Sequence, residues 1–151
     1  MKFSTKARYG LRAMLELALE YKHGGPVSVK TIAERQEISE AYLEQLMSFL
    51  TRRGLAKSIR GVQGGYLLAK DPAKIKVGDV IRAVEGPIVP VECVNKEEPL
   101  DCKRWDKCVS RIVWEKVRDV VDQALDSLTL QDLCDELAIK DSSIREHLYS
   151  I

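Results

Sequence analysis

Long apolar runs are what this chain most conspicuously lacks: none approaches the roughly 20 residues needed to cross a bilayer. The opening MKFSTKARYG carries no apolar export core, so the expected setting is the cytoplasm and no membrane partner is expected. Enzymatic signatures are missing too. There is no phosphate-cradling glycine loop, no nucleophile–base motif and no dinucleotide fingerprint, which argues against catalysis. The two histidines, His23 and His147, lie at no ligand-like spacing from another such residue, and no close C-x2-4-C pair of the kind zinc favours occurs among the four cysteines. Repeats and low-complexity segments are likewise absent.

What remains is a globular composition: 151 residues, 45% hydrophobic and 31% charged, enough apolar surface for a core and enough charge for a wet exterior. The net charge of +1 hides an asymmetry. Residues 1–70 hold 12 Lys/Arg against 6 Asp/Glu, and residues 71–151 hold 12 against 17, so the halves are +6 and −5. A basic first half is the footprint of a surface that meets phosphates.

Apolar periodicity predicts a helix over 4–22, with Ser4 as N-cap and Gly24-Gly25-Pro26 as its stop. Ser28 caps a short second helix, with Val29, Ile32 and Ala33 inward. Ser39 caps a third, in which Leu43, Leu46, Met47 and Leu50 share a face and Gly54 ends the run. From Leu55 to Leu68 two short extended runs flank Gly61-Val62-Gln63-Gly64-Gly65, a β-hairpin. A helix with Val77, Val80, Ile81 and Val84 follows and closes at Gly86-Pro87. The expected fold is mainly α with a small β-hairpin wing: a winged helix-turn-helix over 1–86, a cysteine-bearing loop over 87–108, and a dimerisation helix with a C-terminal helix over 109–151.

The dimerisation helix is expected from about Trp105 to Leu128. Val113, Val117, Val120 and Ala124 form one stripe, and Trp114, Val121, Leu125 and Leu128 another, together wider than the roughly 100° face one core requires. The excess points to a two-fold homodimer. Thr129 then opens a last, short helix with Leu130, Leu133, Cys134 and Leu137 on one face, where Cys134 reads as a small buried hydrophobe.

With the apolar side of the third helix inward, Ala41, Gln45, Ser48 and Arg52 point out, flanked by Tyr42 and Glu44. Gln suits adenine, Ser either groove partner, Ala a thymine methyl, Glu the cytosine amine, and Arg phosphates. Ser39, Glu40, Ala41 and Tyr42 occupy the N-terminal end, where recognition helices make most base contacts. Lys57, Ser58 and Arg60 lie on the hairpin, placing cations where a wing would meet the minor groove or phosphates. These eleven positions are the candidate DNA-binding residues.

Cys93, Cys102 and Cys108 have spacing C-x8-C-x5-C on a proline-punctuated loop. Wide, uneven spacing suits a multi-iron cluster better than one small tetrahedral ion. Another metal or redox role, or inert thiols, stays open on spacing alone.

These residues resemble a known family. ARYGLRAMLELA, ISEAYLEQLMSFLTRRGL, SIRGVQGGYLLAK and KVGDVIRAVEG are similar to signatures of the IscR-like winged-helix transcriptional regulators, over nearly the whole chain. The resemblance implies a homodimeric repressor or activator on a pseudo-palindromic double-stranded DNA operator. It also implies that Cys93, Cys102 and Cys108 ligate an iron–sulfur cluster, 2Fe-2S ahead of 4Fe-4S, because the cysteine-metabolism branch lacks this trio and answers to a protein partner. By the same resemblance Glu44 helps two ligation states choose different operators. Two positions depart from the pattern: the first cysteine interval is longer than usual, and Arg111 stands where a histidine ligand is expected.

Overall fold

The computed structural model describes residues 1–149. Helix α1 (Thr5–Glu20) starts at Ser4, whose hydroxyl accepts from the Lys6 N–H, and runs into a 3₁₀ turn at Tyr21–His23. Helices α2 (Val29–Gln36) and α3 (Glu40–Arg52) are capped in the same manner by Ser28 and Ser39. Each hydroxyl satisfies a backbone donor that the first helical turn leaves over. Glu37 takes a left-handed conformation between α2 and α3, forming the tight turn of a helix-turn-helix.

Strands β1 (Ala56–Ile59) and β2 (Gly65–Leu68) pair antiparallel, Ala56 opposite Leu68 and Ser58 opposite Tyr66. Tyr66 also exchanges both backbone hydrogen bonds with Val27, tying the wing to the entry of α2. That approach requires Gly65, since a Cβ there would lie 2.1 Å from the Val27 carbonyl oxygen.

Helix α4 (Val77–Glu85) packs across α1, and its last residue, Glu85, accepts from the Ser4 N–H at 2.7 Å. The core takes Met14 and Leu17 from α1, Ile32 from α2, Leu43, Leu46, Met47 and Leu50 from α3, and Val80 from α4.

Two expectations need correcting. The helix expected to start near Trp105 is α5 (Arg111–Asp126). Trp105–Lys107 is an isolated 3₁₀ turn, and Cys108 follows in extended backbone that breaks any continuation, so Cys108 belongs wholly to the loop. The final helix is not short: α6 spans Leu130–Tyr149, 20 residues, longer than α5. It opens on a reciprocal cap, with the Thr129 N–H donating to Asp132 and the Asp132 N–H to the Thr129 hydroxyl. Its apolar stripe ends near Leu137, but no glycine or proline follows to stop the backbone, so the helix outlasts its buried face.

The beginning of α6 returns to the N-terminal core. Leu130 is fully buried, its N–H donates to the Ile75 carbonyl, and the Val77 N–H donates to Leu128. Arg82 of α4 clasps α5 through Asp122 at 3.1 Å and Asp126, and pairs within its own helix with Asp79 at 3.6 Å. Helix α5 has no buried residue of its own: Val121 and Leu125 pack on Ala7, Val77, Ile81 and Ile88, while Ile112, Val113, Trp114 and Val120 remain exposed. No helix among the described residues is long and apolar enough to cross a membrane.

Candidate nucleic-acid interface and thiol loop

Helix α3 is held by one side only. Leu43, Leu46, Met47 and Leu50 have no exposed surface, which fixes the rotation of the helix and turns Ala41, Gln45 and Arg52 outward. Ser39, Glu40 and Glu44 are exposed as well, and Tyr42 and Ser48 are half-buried. Lys57, Ser58 and Arg60 are all exposed along the wing. All eleven predicted residues are exposed or half-buried, on α3 and its cap or on the hairpin. Helix α3 packs on β1 of the wing, and burial, then the Glu44 charge, pushes the Tyr66 hydroxyl above its ordinary pKa.

The thiols are placed differently. Cys93 sits on a 3₁₀ turn, Glu92–Val94, that is anchored from below: Val94 is buried, and Arg118 of α5 donates to its carbonyl at 2.7 Å. Arg118 also bonds Asp119 at 2.9 Å, and this hydrogen bond is the main cause holding the Asp119 carboxyl below its usual range. Cys102 is half-buried within an otherwise exposed stretch, residues 96–107, which meets α5 through a Lys96–Asp119 ion pair at 3.7 Å and through Trp105. Cys108 stands at the head of α5. A hydrogen bond with the Ser110 hydroxyl, and then the Arg111 backbone N–H, hold its thiol below the ordinary value; burial opposes them, and the Arg111 charge and the Ser110 N–H add to the lowering.

The Arg111 guanidinium carbon lies over the Trp105 ring, 3.9 Å from its centre, and the Arg111 Nε approaches Glu115 at 3.3 Å without hydrogen-bond geometry. Its Nε and Nη1 are buried and find no hydrogen-bond acceptor among the described residues. Unsatisfied cationic donors beside a thiol inclined to ionise suit an anionic, thiolate-held group in kind. In placement the loop is open: the described residues bring together no group of three or more His, Cys, Asp or Glu side chains close enough to hold a metal ion. Cys134 is the opposite case, packed against the main core, its thiol pushed up by burial and secondarily by Asp135.

Sequence reasoning missed Arg118 and Arg82. Both act across more than 20 residues of chain, and local periodicity carries no signal for such pairs.

A profile for Rrf2, described as an iron-dependent transcriptional regulator, matches residues 3–136. The chain belongs to the Rrf2 family. Among its relatives is the HTH-type transcriptional regulator CymR of Bacillus subtilis (strain 168), 52% identical over 134 residues, covering 88% of this chain and 89% of that protein. The HTH-type transcriptional regulator IscR of Escherichia coli O1:K1 / APEC is 40% identical over 149 residues, covering 99% and 90%. Of the solved structures, Staphylococcus aureus CymR in its oxidised form matches with a TM-score of 0.68 at 39% identity, covering 88% of this chain and 95% of that one. Rrf2 membership makes this chain a DNA-binding transcriptional regulator and not an enzyme. Its mainly helical fold with a hairpin wing agrees with the expected winged helix-turn-helix.

Proposed function

We propose that the chain is a cytoplasmic, homodimeric regulator that reads a pseudo-palindromic operator with α3 and the wing, and whose operator choice depends on the state of the thiol loop. The observation that carries the DNA reading is the outward face of α3, with Gln45 and Arg52 exposed and Ser48 half-buried between them, opposite a fully buried face. Two-fold pairing is supported by α5, where Val113 and Val120 are more than half exposed on a helix that buries nothing completely.

Cys93, Cys102 and Cys108 are the residues that would hold an iron–sulfur cluster, 2Fe-2S ahead of 4Fe-4S, and such a group would supply an iron-dependent, redox-sensitive charge at the head of α5. The soft thiol set, the unsatisfied Arg111 donors and the iron-dependent character of the family support this reading. Arg111 itself offers no lone pair, so a fourth ligand must come from elsewhere. The anchored Cys93 turn would stay in place while the 96–107 stretch drew in, and closure there would bear on α5 and, through Arg82, on α4.

A second reading, a thiol switch without iron, is favoured by the lowered Cys108 thiol and the likeness to Staphylococcus aureus CymR, whose structure is of an oxidised form. Anaerobic purification with iron and sulfide analysis separates the two. Stoichiometric iron and acid-labile sulfide with visible charge-transfer absorption, lost in Cys102→Ala, supports the cluster; a colourless, iron-free protein whose DNA binding responds to oxidant supports the switch.

A further inference from the structure

The outward face of α3 has two flanks that are built differently. At about 100° per residue, Glu44 and Thr51 fall on one side of the Ala41–Gln45–Ser48–Arg52 face, and Tyr42 and Phe49 fall on the other. Helix α3 also packs on β1 of the wing, and the Glu44 charge acts on Tyr66 of β2. The Tyr42 flank is covered by α1. Tyr9 meets Tyr42 edge to face, ring centres 6.2 Å apart at 84°.

Two cations ride on this aromatic flank. The Arg12 guanidinium lies 5.2 Å from the Tyr9 ring centre, and the Lys6 ammonium lies 5.5 Å from that of Phe49. Arg12 is exposed and Lys6 half-exposed, and among the described residues neither belongs to an ion pair. A long basic side chain in water ordinarily spreads over many rotamers. Attraction to a ring face narrows that spread while leaving the charge unneutralised, so less freedom is lost when an anion arrives.

A helix lying in the major groove has a phosphate backbone along each of its sides. Lys57 and Arg60 on the wing serve one side. We propose that Lys6 and Arg12 are the phosphate-gripping cations of the other, held by Phe49 and the Tyr9–Tyr42 pair, so that α1 and the wing straddle the groove that α3 enters. This assignment rests on the DNA-binding reading above. It gives α1 a role in affinity and orientation with none in base choice, because phosphates carry no sequence information of their own.

The test uses the full-length protein and a duplex that wild type has selected from a random pool, alongside a scrambled duplex. Affinities of wild type, Lys6→Gln, Arg12→Gln, the double variant and a distant control, Lys140→Gln, are measured from about 50 to 200 mM salt. Circular dichroism establishes that each variant is folded. The expected result is that each substitution at Lys6 or Arg12 lowers the slope of log affinity against log salt by about one, weakens both duplexes alike and leaves their ratio unchanged, while Lys140→Gln changes nothing. A steep wild-type slope that the double variant retains would overturn the clamp and leave the DNA reading intact. A change in base preference would overturn it by placing these residues at the bases. A wild-type protein without salt-dependent binding would sink the DNA reading, and this assignment with it.

Discussion

Helix α3 stands on four side chains with no exposed surface, Leu43, Leu46, Met47 and Leu50, whereas the segment 87–110 that carries three thiols buries only Ile88, Val94 and Asn95. The first surface has its shape before any DNA arrives. The second is tied down at its ends, Cys93 over the Arg118 contact and Cys108 at the head of α5, with Cys102 on the mostly exposed stretch between them. On the function proposed above, this division would pair a firmly packed surface for reading sequence with a loop that modest chemistry could rearrange.

The largest effect that can break the contrast is on stability. Leu46→Ala should cost about 2–5 kcal/mol, since it leaves a cavity among packed neighbours, while Cys102→Ala in the iron-free protein should stay within about 0.5 kcal/mol. Chemical denaturation of both variants checks this; equal losses would mean that the loop is as firmly packed as α3. Next comes recognition. Gln45→Ala should cost about 1–3 kcal/mol at the selected site and relax base preference there, and Arg60→Ala should weaken binding through the wing. Competition binding with single-base operator variants would show unaltered profiles if the rotation of α3 were other than described.

The anchor under Cys93 is a third point. Arg118→Met leaves the Val94 carbonyl without its cationic donor, at a cost of about 1–3 kcal/mol, and should speed alkylation of Cys93 with little change at Cys102. An unchanged Cys93 rate would detach Arg118 from the thiol loop. The smallest effect concerns Cys134, whose thiol is raised by burial, so its neutral form is the one that folding favours. Its contribution to stability is present below the unfolded thiol pKa and is lost as pH rises through the higher folded value. Alkylation of Cys134 should therefore lag behind that of Cys102 at every pH in a mildly alkaline series, and a Cys134→Ala protein should keep any iron that wild type holds.

Much of the reading head was legible because its determinants are local. Ser4, Ser28 and Ser39 cap helices that begin at the next residue, and the periodicity of Leu43, Leu46, Met47 and Leu50 sets the outward face of α3. The start of α5 was misplaced because apolar spacing begins only at Val113 and says nothing of the extended backbone at Cys108. The length of α6 was underestimated because periodicity reports burial, and Ile139 and Ile144 are helical but exposed. Arg82, Arg118 and the aromatic flank of α3 involve partners distant in sequence, which only the folded chain brings together. The spacing of Cys93, Cys102 and Cys108 suggested shared chemistry without dictating that the loop gathers them.

The division between a rigid reader and a responsive loop is tested most directly by selecting DNA from a random duplex pool with anaerobically purified protein, then again after chelation of its iron or oxidation of its thiols. The account predicts that every state enriches sequence-specific, pseudo-palindromic sites, and that their preference or affinity differs between the native and treated states. Identical enrichment in all states would contradict control by the loop, and no enrichment in any state would contradict the reader itself.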